Sequence, residues 1–508
     1  MGTASGRWVL AATIAGSGLA ALDATVVNVA LARIGEDFDA RFSALQWISN
    51  AYTLTLAAFI LLGGVLGDLY GRRRVFIVGT VWFALASALC AFSTDESMLI
   101  AARALQGIGG ALLTPGSLSI ISASFAAADR SKAIGAWSGL GGIATAIGPF
   151  LGGWLVAVNW RLVFLINLPI AVAVVLIALR HVPETRDESV TAARPRIDFV
   201  GAGLVVVALS GVTYALTAAG QRGWSAPVAV SGLIGLVAGV AFVLWERRTR
   251  SPLIRLDMFG NRTFAATNVI TVFIYAGLSV FFFLLVLQLQ VVSGWSPLAA
   301  GTSLLPVTAL MLLLSARFGA LSQRIGPRPL MGAGSLLAGL GFLAALRIGP
   351  DARYLTDVLP AAILMGLGLS CAVAPLTAAV LGAAPVHLAG AASGINNATA
   401  RSAGLLAVAV VPAAAGLSGA GLSDAGQFDA GFGVAMMIGA GLLAAAAVVC
   451  WLALSRGAGV PFPDDALPDQ DRVPVHRLDQ CPVSSPALHP GSHAVPGTPD
   501  PSPTGTRG

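Results

Sequence analysis

Apolar runs of about 20 residues recur fourteen times along this 508-residue chain, with short polar loops between them. Each run is long enough to cross roughly 30 Å of hydrocarbon as a helix, a form that satisfies its own backbone polar groups inside a bilayer. The runs fall at 8–31, 45–67, 75–93, 98–125, 132–157, 162–180, 198–219, 226–246, 264–290, 298–321, 329–347, 355–381, 390–416 and 430–454. Hydrophobic residues are 56% and charged residues 11% of the chain, against roughly a half and a quarter in a soluble domain. The expectation is an all-α integral membrane protein with fourteen transmembrane helices.

A net charge of +6 could suggest nucleic acid, but the basic residues are spread through loops instead of gathered on one domain. Their sidedness explains them better. With the amino terminus inside, eighteen arginines and lysines fall on the cytoplasmic side, Arg7, Arg72, Arg73 and Arg74 among them, against six outside. That bias predicts cytoplasmic termini, an even number of helices and a multi-pass protein of the inner or plasma membrane, with the lipid bilayer and no nucleic acid as partner. The first run follows Arg7 as a signal peptide would, yet it is too long and carries Asp23 and Asn28, so it reads as a mature helix. Cys90, Cys371 and Cys450 lie inside helices and Cys481 in the tail, and His181, His387, His476, His489 and His493 are scattered. Neither a disulfide frame nor a metal site is expected, and no cofactor.

Four segments follow: a six-helix bundle over 1–180, a linker with two additional transmembrane helices over 181–263, a second six-helix bundle over 264–455, and a Pro-, Gly- and Ser-rich tail over 456–508 that reads as disordered and cytoplasmic. An internal echo supports the two bundles. Gly64-Val-Leu-Gly-Asp68-Leu-Tyr-Gly71-Arg72-Arg73-Arg74 follows the second run, and Gly319-Ala-Leu-Ser-Gln323-Arg324-Ile-Gly326-Pro-Arg328 follows the tenth with the same spacing, Gln323 standing for the acid. Paired repeats around a central cavity are a common transporter plan.

Asp23 sits well inside the first run. A lipid-facing carboxylate there would cost about 2.5–3.5 kcal/mol, so it is expected to face protein or a wet cavity. On a helical wheel it lies near Ala12, Gly16 and Ala20, whereas Thr25 and Asn28 share another face, which gives this helix two contact surfaces. Arg103, Gln106, Gly107, Gly110, Ala111 and Thr114 form one polar, small face of the fourth helix. At about 1.5 Å per residue, Asp23 and Arg103 come within roughly one turn of the same depth, so they can pair; alternatively Arg103 snorkels outward. The fifth run carries Gly139-x8-Gly148-Pro149-x2-Gly152-Gly153, a groove that admits a close neighbour. Gln46, Asn50, Tyr52, Gln288, Gln290, Asn396, Asn397 and Arg401 interrupt apolar helices, and either line a substrate pathway with Thr25, Asn28 and Gln106 or bond adjacent helices.

In these motifs the chain resembles the major facilitator superfamily, and within it the fourteen-helix drug:proton antiporter family. Gly64 to Arg74 is similar to the superfamily's loop signature, Leu99-x3-Arg103-x2-Gln106-Gly107 to its fourth-helix motif, and Gly139 to Gly153 to the antiporter motif. Leu22 to Leu31 resembles the family's first-helix motif, departing at Ala32 where the family has proline. Shorter matches include Trp160-Arg161-x2-Phe164-x-Ile-Asn167-x-Pro169 and Ser393-Gly394-x-Asn396-Asn397-x3-Arg401. The resemblance spans about residues 7–455. It implies the major facilitator fold, with two six-helix pseudo-repeats plus two inserted helices. It also implies that Gly64, Asp68, Gly71, Arg72 and Arg73 latch the cytoplasmic side of the two halves, and that Gly139, Gly148, Pro149, Gly152 and Gly153 shape the interface that favours exchange over uptake.

The resulting expectation is a monomeric exporter of hydrophobic or cationic drug-like compounds, an antibiotic among them, driven by protons that Asp23 and Arg103 couple to alternating access. Two rivals share the fold: an exporter of an amino acid, sugar, siderophore or lipid, and a proton-symport importer. A nontransporting membrane sensor or scaffold is the rival of another class. An enzyme is not expected, because no nucleophile and base pair, metal cluster or phosphate loop emerges.

Overall fold

The computed structural model describes residues 4–125, 133, 137, 147–185, 197–249, 251–384, 388–417 and 424–454. Gly139 and the tail over 456–508 lie outside them. Among the described residues the regular structure is helical, with no strand.

In chain order the helices are α1 Ala4–Phe38, α2 Phe42–Tyr70, α3 Arg72–Ala91, α4 Glu96–Ser124, α5 Ile147–Val158, α6 Leu162–His181, α7 Phe199–Arg222 and α8 Ala226–Glu246. They continue with α9 Arg262–Leu287, α10 Pro297–Ile325, α11 Pro327–Ala345, α12 Leu359–Gly382, α13 Ala389–Ala414 and α14 Ala425–Ala453. Twelve are long and apolar enough to cross a membrane. The other two are α5, whose described part is short, and α13, whose hydropathy is lowered by Ser393, Asn396, Asn397, Thr399, Arg401 and Ser402.

Local chemistry explains where helices start. Asp95 Oδ1 accepts from Met98 N at 2.9 Å ahead of α4, and Asn261 Oδ1 accepts from Thr263 N at 2.9 Å ahead of α9. Ser296 caps α10, with Pro297 at its first position. The first helix runs to Phe38, beyond the apolar limit at 31, because backbone hydrogen bonding continues past the hydrocarbon while hydropathy stops at its edge. Gly71 closes α2 and opens α3 at φ 110°, and Gly326 does the same between α10 and α11 at φ 84°. Both turns need a residue without a Cβ, so the sequence echo is also a backbone echo.

Helices α1 to α4 and α6 pack on one another as one half, and α9 to α14 as the other. The pair α7 and α8 pack together, and α7 also lies against α2 and α13, one helix from each half. The molecule has two ends, one bearing the α1–α2 turn at Arg41 and the other the α2–α3 turn at Arg72. At the Arg41 end, α1, α2 and α6 share a single apolar cluster with the second half, including Val26, Phe42, Phe283 and Phe428. Toward the Arg72 end the first half has a separate cluster of its own, built on Val9, Leu19, Tyr52, Phe76 and Phe83. The halves are thus joined by apolar packing at the Arg41 end.

Candidate functional site

A charged network lies inside the first half. Asp23 and Arg103 are each 1% exposed, and Arg103 Nη1 donates to Asp23 Oδ2 at 2.5 Å. Asp23 Oδ1 accepts from Gln106 Nε2 at 2.8 Å and from Asn167 Nδ2 at 2.9 Å. Ser87 Oγ accepts from the same two amides, at 2.7 and 3.2 Å. Arg103 Nε donates to Ile48 O at 3.1 Å, and its guanidinium lies 4.4 Å from the centre of the Tyr52 ring. A buried ion pair stands only if the remaining lone pairs and protons are also satisfied, and here α1, α2, α3, α4 and α6 each supply part of that shell. Every partner of Asp23 is a donor, two on Oδ1 and one on Oδ2, so a proton added to the carboxylate competes with them and removes the charge that holds Arg103.

Beside this network a cavity of about 260 Å³ opens between the halves. Arg103 and Tyr52 reach its wall, and Asp23 sits behind them. Thr25 and Asn28 of α1 and Asn50 of α2 line it, as does Pro149 of α5. From the second half, α9 contributes Tyr275, Ser279, Phe282 and Phe283, and α13 contributes Arg401, Gly404, Leu405 and Val408. Each set repeats every three to four residues, one face of a helix turned inward. Thr25 and Asn28 thus face the cavity while Asp23, on the same helix, faces the bundle.

The glycines of α5 set how closely it meets α1 and, at Gly153, the second half. A Cβ on Gly152 would lie 3.1 Å from Val26 Cα, and one on Gly153 would lie 2.6 Å from Leu298 Cα across the halves. Gly148 faces Thr25, where a Cβ would collide with its hydroxyl.

The Gly64–Arg74 segment is held by local contacts. Arg72 Nε donates to Asp68 Oδ1 at 2.9 Å, and Arg72 Nη1 reaches Ser119 O at 3.4 Å. Arg73 N donates to Glu184 Oε1 at 3.2 Å and Arg73 Nη1 to Val182 O at 3.2 Å. Arg74 Nε lies 3.6 Å from Glu184 Oε2. Gly64 faces Pro115. Among the described residues these contacts stay within the first half, tying the loop to the end of α6, and do not bridge the two halves in this conformation.

The sequence model of the Major Facilitator Superfamily matches residues 13–198 and 197–409. The chain is 35% identical to a probable actinorhodin transporter of Streptomyces coelicolor, over 81% of this chain and 74% of that one. It is 34% identical to a puromycin resistance protein of Streptomyces alboniger, over 88% of this chain and 90% of that one. The chain belongs to the Major Facilitator Superfamily. The fold agrees: a D-xylose–proton symporter structure superposes with a TM-score of 0.64 over 90% of this chain and 99% of that one, at 15% identity.

Within this multi-pass superfamily member, several expected pathway residues do other work. Gln46 Nε2 donates to Val408 O at 2.7 Å and Gln290 Nε2 to Val29 O at 3.1 Å, so both amides join the halves. Gln106 belongs to the Asp23 network. Gln288 is buried and donates to Ile348 O at 3.0 Å and to Asp429 Oδ1 at 2.5 Å, inside the second half. Asn396 Nδ2 donates to Thr271 Oγ1 at 2.7 Å, and Asn397 turns back onto Ser393 O at 3.1 Å. None of these six is among the residues lining the cavity. An amide in a helix bundle takes the nearest unshared carbonyl or hydroxyl, and sequence spacing does not reveal where that is. Conversely, Ser87, Asn167, Glu184, Tyr275 and Ser279 carry contacts that periodicity gives no reason to single out. Asn167 does stand in one of the shorter family-like motifs, but without an indicated partner.

Proposed function

We propose that this protein exports a drug-like small molecule, an antibiotic among them, in exchange for protons. The supporting observation is the buried Asp23–Arg103 pair placed directly behind the wall of a cavity that both halves line. Its relatives are named as an antibiotic transporter and a drug resistance protein. An added proton on Asp23 neutralises the carboxylate, competes with its donors and frees Arg103 toward the cavity; loss of the proton restores the pair. Each inward proton supplies about 2.3 kcal/mol per 100 mV of membrane potential.

Alternating access follows from the two ends. With both termini cytoplasmic in an inner or plasma membrane, the Arg41 end is outside and closed by shared apolar packing, and the conformation is inward-facing. The first-half latch then has its partners across the halves only in the outward-facing state. Fourteen membrane spans fit the chain, because α13 has 26 residues, about 39 Å of helix, and the run over 132–157 contains α5. A cavity lined by both halves of one chain supports a monomer as the working unit.

The test is drug accumulation in cells lacking their own exporters. Wild-type protein lowers accumulation, and an uncoupler abolishes the effect. Asp23→Asn, inserted at wild-type level, loses export against a gradient. Proton-dependent export by Asp23→Asn would remove Asp23 from the coupling step.

A further inference from the structure

The sign of charge in the central cavity is opposite to what a carrier of cations needs. Arg401 stands near the middle of α13, half-buried, with its side chain on the cavity wall. A guanidinium at that depth is costly unless it meets a partner or a wet cavity. Among the described residues no carboxylate pairs with it and no hydrogen bond engages it. Arg103, the other cation on the wall, is already neutralised by Asp23 at 2.5 Å. Neither aspartate nor glutamate is among the lining residues. By sequence the stretch 138–146 that precedes α5, Ser-Gly-Leu-Gly-Gly-Ile-Ala-Thr-Ala, contains no acid. Asp23, the acid in the Arg103 network, is paired and does not line the cavity. The cavity therefore carries one uncompensated positive charge.

The rest of the wall specifies the body of the guest. One turn beyond Arg401, Gly404 lets α13 press onto Ser279 of α9, where a Cβ would collide with the hydroxyl. That contact packs the Arg401-bearing helix against α9, whose Tyr275, Phe282 and Phe283 line the same cavity. A planar, cationic, anion-binding fork in a cavity that also has aromatic rings on its wall matches a planar anion attached to an aromatic system.

We propose that the cavity binds an aromatic organic acid, ionised as a carboxylate or phenolate, through Arg401, and disfavours lipophilic cations. Of the expected hydrophobic or cationic cargoes, this proposal disfavours the cationic ones. As to direction of movement, this rests on the export reading; as to binding, it stands on the cavity alone.

Two readouts separate the two ideas. Purified full-length protein is titrated with fluorescein, and with a rhodamine ester cation of the same ring system, by fluorescence anisotropy. Fluorescein binds at least about tenfold tighter than the cation, Arg401→Gln loses about tenfold or more of that affinity, and Arg401→Lys recovers part of it. Thermal unfolding of each variant confirms that the bundle is intact. Equal or tighter binding of the cation, no binding of either dye, or fluorescein binding unchanged in Arg401→Gln would overturn the anion site. Dye movement in proteoliposomes then judges the export reading separately. Selective fluorescein binding without transport keeps the site and sinks the export reading, whereas energised transport of the cation keeps export and sinks the site.

Discussion

The two halves share a backbone plan and differ in what they bury. In the first, the turn at Gly71 is anchored by Arg73 to the end of α6; in the second, the turn at Gly326 is anchored to the end of α14, where Arg328 Nη2 donates to Trp451 O at 2.5 Å. The anchoring is equivalent, yet Asp68 pairs with Arg72 in one loop and uncharged Gln323 stands in the other. The interiors diverge further. The first half buries an aspartate, an arginine and three polar partners, whereas the polar α9–α13 contact of the second is neutral, with Asn268, Thr271 and Asn396. A neutral amide cluster holds helices together without responding to a proton. The difference therefore teaches that the buried ion pair belongs to one half, while the other half places a single charge, Arg401, on the cavity wall.

The sharpest way to break this comparison is Arg103→Ala. It leaves Asp23 buried without its cation, and the expected loss of stability is about 3–5 kcal/mol, read by thermal unfolding of the purified protein. The double variant Asp23→Leu, Arg103→Leu recovers most of that loss while abolishing coupling. If the single variant is as stable as wild type, the network carries no structural weight.

Asn268→Leu probes the second half. It removes the bond to Phe264 O at 2.9 Å and leaves the Asn396 amide with one fewer partner, and the expected cost is about 1–3 kcal/mol in the same measurement. A loss as large as that of Arg103→Ala would erase the asymmetry.

Paired substitutions at the turns compare the two loops directly. Gly71→Ala and Gly326→Ala each force a Cβ into a positive-φ turn, at about 1–3 kcal/mol. Gly71→Ala is the more costly, because its Cβ would sit 2.5 Å from Glu184 Oε1 and push that carboxylate off Arg73 and Arg74. Equal effects would show that the Glu184 contact is incidental.

The smallest effect is expected at Asp68→Asn. The Asp68 side chain is 33% exposed and that of Arg72 is 17%, so this i,i+4 pair contributes under about 1 kcal/mol to unfolding. Its larger consequence is kinetic, a changed rate of dye transport in proteoliposomes at unchanged stability. A stability loss of several kcal/mol would mean that the latch is part of the core.

Much of the architecture was legible along the chain because hydrophobic length and helical period are local properties. The separation of Asp23 from Thr25 and Asn28 followed from the 100° step of a helix, and the structure sets one on the bundle side and the others on the cavity. The common depth of Asp23 and Arg103 followed from counting rise per residue. Six amides show where that reasoning stops. Gln46, Gln106, Gln288, Gln290, Asn396 and Asn397 all interrupt apolar helices, and only the neighbours' carbonyls and hydroxyls decide whether such a group bonds protein or faces a guest.

The chain alone determined that its helices cross a membrane, that a loop motif is repeated and that a carboxylate lies at mid-depth, because each depends on residues within one or two turns. Tertiary structure decided that Asn167 and Ser87 complete the shell of Asp23, that Glu184 holds the arginine loop, and that Arg401 meets the cavity with no acid to neutralise it. Those are relations between helices far apart in sequence, and their energies come from desolvation and geometry that exist only once the bundle is packed.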